Sequence, residues 1–236
     1  MGAYDPLVFD GLPAVDIAAT KVKSQDGDHL VKTAIRDLFI KHNVRDKIGV
    51  ALVHRHFDLR SDEIMVDYQG VATPWSAGVL NQYDGFGRIL PLSYVVFDGK
   101  LHPYEFYFTA DSSEQPLDVP PELIADWEDL MKHNELGGLL GIRALRKEAS
   151  TSHMMEFTQR FATFTVPWEG KPSSPSSGVY QTCWSFRLNE KGDEEPNDYC
   201  SGTHRNCDHS AISCFHGYPP GPIGMSVHNT PDTWST

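Results

Sequence analysis

No stretch of this 236-residue chain approaches the 18 or so apolar residues that a membrane-spanning helix requires. The opening residues, MGAYDPLVFDGLP, have no basic n-region and no long apolar h-region, so no signal peptide is expected. Gly2 follows the first methionine, but no hydroxyl residue stands near position 6, which argues against myristoylation. No Asn-x-Ser/Thr sequon with a permitted middle residue occurs, in keeping with a cytoplasmic protein. Positive charge is also scarce: 20 Lys and Arg face 32 Asp and Glu, a net charge of −12. Nucleic acids and anionic membranes both need a basic face, so neither is expected as a partner. Only four cysteines are present, and three of them are interleaved with histidines. That mixture favours thiols or metal ligands over a disulfide framework. Gly-x-Ser-x-Gly, Walker A, GxGxxG and His-Glu-x-x-His motifs are all missing, so the familiar hydrolase, nucleotide and zinc-peptidase signatures are excluded.

What the chain does have is an ordinary globular composition, 40% hydrophobic and 22% charged. Its length suffices for a core that needs no staples. Residues 1–26 are turn-rich and read as a surface wrap. Leu30, Val31, Ala34, Ile35, Leu38 and Phe39 fall on one stripe, which predicts a helix over 28–42 with Asp26 or Asp28 at its cap. KIGVALVHRHFDL predicts a strand over about 47–57. DEIMVDYQGV predicts a second strand, with RSD as the turn between the two. Residues 71–87, with Pro74, Trp75, Gly78, Gly85 and Gly87, read as a loop. Asp98-Gly99 then marks a hairpin whose second arm carries Tyr104, Phe106 and Phe108. Pro120-Pro121 opens a helix with Leu123, Ile124, Trp127, Leu130 and Met131 on one face. GGLLGIRAL predicts a short strand, HMMEFTQRFATFTVPW one long strand, and GVYQTCWSFRLN a last strand. The pattern predicts an α+β fold: a mainly antiparallel sheet, two or three helices, and a long irregular C-terminal extension. The expected organisation is one α+β domain over 1–188, with a Cys/His-rich extension over 189–236 packed on it.

Two stretches carry chemistry. In LVHRHFDLRSDE, alternation along a strand puts His54 and His56 on one face. A carboxylate, Asp58 or Glu63, would complete a two-His-one-carboxylate set suited to zinc activating water or to non-haem iron. The order Gly49, His54-x-His56, Glu63, Gly70 is faintly similar to the first cupin motif, in which two His and the Glu bind metal. Its spacing departs from that motif: four residues separate Gly49 from His54, and six separate His56 from Glu63. The second stretch is the tail, where Cys200, His204, Cys207, His209, Cys214 and His216 fall within seventeen residues. Soft thiolates mixed with imidazoles suit zinc, and a metal would help order an acidic, Gly/Pro-rich segment.

Two functional readings therefore stand side by side. In one, the chain is a metal-dependent enzyme, a hydrolase or oxygenase with zinc or iron, acting on a small molecule through His54 and His56. In the other, it is a non-enzymatic interaction domain whose tail holds a structural zinc. A third arrangement joins them: the tail folds back, and His204, His209 or His216 reaches the His54–His56 face. The sequence leaves the oligomeric state open.

Overall fold

The computed structural model describes residues 3–78, 87–146, 152–169, 178–188, 191–192 and 198–201. All of these fall within one compact unit, Met1–Arg205. Ten strands make up the sheet: β1 Ile48–Leu52, β2 Glu63–Tyr68, β3 Val71–Ser76, β4 Arg88–Phe97, β5 Lys100–Thr109, β6 Leu140–Ala144, β7 His153–Gln159, β8 Ala162–Trp168, β9 Val179–Trp184 and β10 Asp198–Ser201. They are hydrogen-bonded in the order β1-β6-β4-β5-β2-β3-β8-β7-β10-β9, and β9 returns to β1, so the sheet closes on itself as a barrel. The helices are α1 Pro6–Asp10, α2 Val15–Ser24, α3 Gly27–Leu30, α4 Arg36–Lys41 and α5 Pro121–His133, with a π-turn over Val31–Ile35 joining α3 to α4.

The expected α+β fold with a mainly antiparallel sheet and two or three helices is thus corrected to a closed barrel of mixed pairing. β2 runs parallel to β5, and β7 parallel to β10. The first two strands do not form a pair. β1 binds β6 and β9, whereas β2 binds β3 and β5. Local periodicity identifies strands but carries no information on such long-range register.

Three further departures have local causes. Residues 71–76, expected as loop, form β3. Its Pro74 lies opposite Met65 of β2, while β8 pairs only with Val71 and Ala72, so the missing N–H faces no partner strand. The single strand expected over 153–168 is a hairpin, β7–β8, turning at Arg160-Phe161 with Arg160 at φ 57° and no glycine to announce it. The N-terminal wrap contains α2, whose Val15, Ala18 and Val22 are buried at helical spacing.

The expectations that held rest on strong local signals. The 28–42 helix is present as α3, the π-turn and α4. α5 starts at the expected prolines. The β4–β5 hairpin turns at Asp98-Gly99, both with positive φ (51° and 68°), as a two-residue turn of that hand requires.

The last strand, β10, belongs to the barrel although it lies inside the expected irregular extension. Residues 202–236, and the boundary expected at 188/189, lie outside the described residues.

The two faces of the barrel wall differ in kind. Ile48, Val50 and Leu52 of β1, Tyr94 of β4 and Leu140 and Ile142 of β6 pack in one buried cluster against Val31, Ile35 and Phe39 of the long helix and Leu123, Trp127 and Met131 of α5. Phe39 stacks on Trp127 with ring centroids 5.9 Å apart. Close packing of the wall is enforced at Gly141, where any Cβ would run into the Tyr94 carbonyl oxygen. The intervening residues of these strands face the other way: Ala51, Ser93 and Arg143 are small or polar, whereas Val95 joins a second apolar cluster with Val53, Met65 and Tyr104.

Candidate metal centre

Inside the barrel, Ala51 of β1, Glu105 of β5, Arg143 of β6, Glu156 of β7 and Cys183 of β9 line a common cavity of about 10 Å³, room for roughly one water. These strands come from opposite sides of the ring, so the cavity is interior. His54 also lines it.

β1 ends at Leu52, so His54 and His56 lie beyond the strand expected to carry them. The segment that follows is anchored by Arg55, whose N–H donates to the Pro13 carbonyl at 3.0 Å. On either side of it the two imidazoles turn inward and are 4% and 7% exposed. Their ring centroids are 4.7 Å apart.

The His54 Nδ1–H donates to the Leu52 carbonyl at 2.7 Å. A carbonyl can only accept, so this bond fixes the tautomer and leaves Nε2 as a bare lone pair. That Nε2 is buried with no hydrogen-bond partner. Burial also holds the His54 pKa below its ordinary value, against the opposing pull of the Leu52 carbonyl and Glu105, so the ring stays neutral.

His56 is oriented from its other side. Its Nδ1 lies 3.2 Å from Thr158 Oγ1, which in turn sits 2.9 Å from Thr163 Oγ1. Its Nε2 is 3.8 Å from both Glu105 Oε1 and Glu156 Oε2.

The third member comes from the tail. The parallel register of β10 on β7 sets Cys200 opposite Glu156, and Cys200 is fully buried. One ligand atom each from His54, His56 and Cys200 all lie within 4.8 Å of one another. This is a candidate metal-binding triad built from two segments 144 residues apart.

The surrounding charges form one network. Arg143 Nη1 donates to Ser93 Oγ and to Glu105 Oε2, each at 3.0 Å, and Ser93 Oγ donates to the same Glu105 oxygen at 2.5 Å. Arg143 Nη2 lies 3.9 Å from Glu156 Oε1. Burial disfavours the Arg143 charge, but Glu105, Cys183, Glu156 and Asp198 outweigh it and keep the guanidinium protonated. Burial pushes the Glu156 carboxyl well above the usual carboxylate range, only partly offset by Arg143. The Cys200 and Cys183 thiols are pushed up chiefly by burial as well, so both are neutral without a metal. A bound cation would reverse this for Cys200, because a coordinating thiol is deprotonated.

The donor set could hold a metal ion. Thiolate sulfur and imidazole nitrogen are common metal ligands, and an orphaned buried imidazole nitrogen is costly unless something accepts its lone pair.

Several sequence candidates lie elsewhere. Asp58 is 82% exposed in an ion pair with Arg55 at 3.0 Å. Glu63 opens β2 and accepts from the Arg60 N–H at 2.9 Å. Neither joins the triad. His204, Cys207, His209, Cys214 and His216 lie outside the described residues. The carboxylates actually brought to the histidines are Glu105 and Glu156, which sequence reasoning missed. Their signal was present: each is a single acid in an otherwise apolar or alternating strand, PYEFYF and HMMEFTQ, and Arg143 in LGIRAL is its basic counterpart.

No family model, curated protein or solved structure matches the chain. The site therefore stands on its geometry alone. Among the described residues no helix is long and apolar enough to cross a membrane.

Proposed function

We propose that the chain is a metal-dependent enzyme acting on a small molecule inside the barrel. In this reading His54, His56 and Cys200 hold zinc, with non-haem iron less suited to the thiolate. The observation that carries the proposal is the bare, buried Nε2 of His54 within 4.8 Å of ligand atoms from His56 and Cys200. Three protein ligands leave a coordination position open, as in catalytic rather than closed structural zinc sites. A bound metal would supply Lewis acidity and an activated water.

The chain's own residues have definite roles in this reading. Leu52 O and Thr158 orient the two imidazoles. Ser93 and Arg143 fix Glu105. Glu156, whose Oε2 lies 3.8 Å from His56 Nε2, is the group placed to hand over or take up a proton. Perturbed carboxyl and imidazole groups gathered around one polar cavity are what an active site needs. The carboxylate role passes from the exposed Asp58 and Glu63 to Glu105 and Glu156. The net charge of −12 fits a small-molecule substrate over nucleic acid or an anionic membrane, and an unoxidised Cys200 fits a cytoplasmic setting.

One observation favours a second reading, a non-enzymatic domain with a structural zinc: the cavity beside His54 has space for only about one water. Elemental analysis of the purified protein separates these cases. One metal per chain is expected, lost in His54→Ala/His56→Ala and in Cys200→Ser, and kept in Cys207→Ser/Cys214→Ser. Loss only in the last variant would move the metal to the tail and remove the enzyme reading. If metal-free protein keeps its melting temperature within a few degrees, the site is catalytic. A collapse of the fold on metal removal favours the structural reading.

A further inference from the structure

The third ligand of the triad sits on an unusual element. β10 is described over Asp198–Ser201, and it is the piece that closes the barrel. It pairs with β7 on one side through Asp198, Tyr199 and Cys200, and with β9 on the other. Among the described residues β7 and β9 share no pairing of their own, so withdrawing β10 would leave the wall open between them. The β9 side of this seam is already irregular, with a shift of register between Asp198 and Tyr199.

Two side chains tie β10 down from opposite faces. Tyr199 packs edge-on against His153, at 5.4 Å, and Trp168, at 5.2 Å. Cys200 points to His54 and His56. The cavity, with Glu156, Arg143 and Cys183 in its lining, has no room for anything larger than a water while the wall is shut. A substrate therefore needs a door, and the ligand-bearing strand bridges two strands that share no pairing of their own among the described residues.

We propose that β10 is a metal-clasped closing strand: coordination of Cys200 by the ion at His54 and His56 locks the seam between β7 and β9, and loss of that bond opens the interior. This rests on the metal-centre reading above. The seam strand packs on β7 and β9 and lies apart from the helix-backed strands β4 and β6, so opening is local and leaves that wall intact. Metal binds only the closed arrangement and stabilises it by mass action.

Cys183 serves as the reporter. It is buried, lines the cavity, and is not one of the three ligands. The full-length protein is treated with a maleimide, zinc-loaded or after chelation, and labelling at each cysteine is read by peptide mass spectrometry. Amide hydrogen exchange is followed in parallel. Chelation is expected to speed Cys183 labelling at least tenfold and to raise exchange in 198–201, with the β4–β5 hairpin unchanged. Added zinc should restore protection in the wild type but not in His54→Ala. If zinc binds and Cys183 protection is the same with and without it, the closing-strand proposal is overturned and the metal centre stands. If chelation loosens the hairpin equally, the change is global unfolding and the local door is again overturned. If the protein takes up no zinc, the centre and the door fall together.

Discussion

The two faces of one strand set this molecule's logic. On β6, Ile142 faces outward into a cluster with Trp127 and Phe39, while Arg143 next to it faces inward to Ser93 and Glu105. On β1, Val50 faces the helices and Ala51 the interior cavity. Small barrels commonly fill their interior with side chains and leave the outside wet. Here an apolar layer of helices lies outside, and the inner face carries charged groups beside a second apolar cluster that includes Val53, Met65 and Val95. The helix-backed core lies on one face and the candidate metal centre on the other, so substitutions on the two faces should differ in kind.

The largest effect is expected on the outer face. Trp127→Ala removes a fully buried ring stacked on Phe39 and should cost about 3–5 kcal/mol in denaturant unfolding. Metal content of the fraction that remains folded should be unchanged. On the inner face, Arg143→Met keeps the volume but strips the countercharge from Glu105 and should also cost roughly 3–5 kcal/mol. Combining it with Glu105→Gln should recover much of that loss, because the pair fails by leaving one charge unpaired. A double-mutant cycle that comes out additive would show the network to be energetically uncoupled.

A smaller effect follows from His54 in metal-free protein. Its folded pKa is lowered, so the unfolded chain takes up the proton first as pH falls. Stability is therefore complete above the unfolded value of about 6.5 and declines as pH drops below it. His54→Gln should flatten the stability profile in that window, and zinc should deepen the decline in the wild type because protons compete for the same nitrogen. The smallest effect is on the surface. Asp126 is held below its ordinary pKa by hydrogen bonds from Lys41 and His42, so whatever it adds is present above about pH 4 and fades as pH falls further. Asp126→Asn should shift the melting temperature by about a degree or less at pH 7, since exposed ion pairs contribute little.

The sequence revealed these two faces unequally. The outer layer was legible: the stripes of the long helix and of α5, and the Asp98-Gly99 turn, are short-range patterns with one physical solution each. The barrel was not, because closure depends on pairings such as β1 with β9 and β2 with β5, which local alternation cannot encode. The site was half legible. His54 and His56 stood out as polar residues interrupting an apolar run, and Cys200 as part of a Cys/His-rich stretch. Their meeting was not visible, since it depends on β10 entering the barrel from a segment without periodicity. The nearby acids Asp58 and Glu63 were attractive for their closeness in sequence. The acids that reach the imidazoles, Glu105 and Glu156, arrive from strands about 50 and 100 residues away. Alternation marked their faces but not their partners.

The central claim is that a single ion is held by two imidazoles and one thiolate inside the barrel. X-ray absorption at the zinc edge, on zinc-loaded Cys207→Ser/Cys214→Ser protein, tests it most directly. The account predicts a shell of nitrogen and oxygen scatterers, the two imidazoles and the open position's water, at about 2.0–2.1 Å and one sulfur at about 2.3 Å, with the sulfur shell disappearing in a further Cys200→Ser change. A shell of oxygen and nitrogen without sulfur, or zinc that fails to bind once Cys207 and Cys214 are gone, would contradict it.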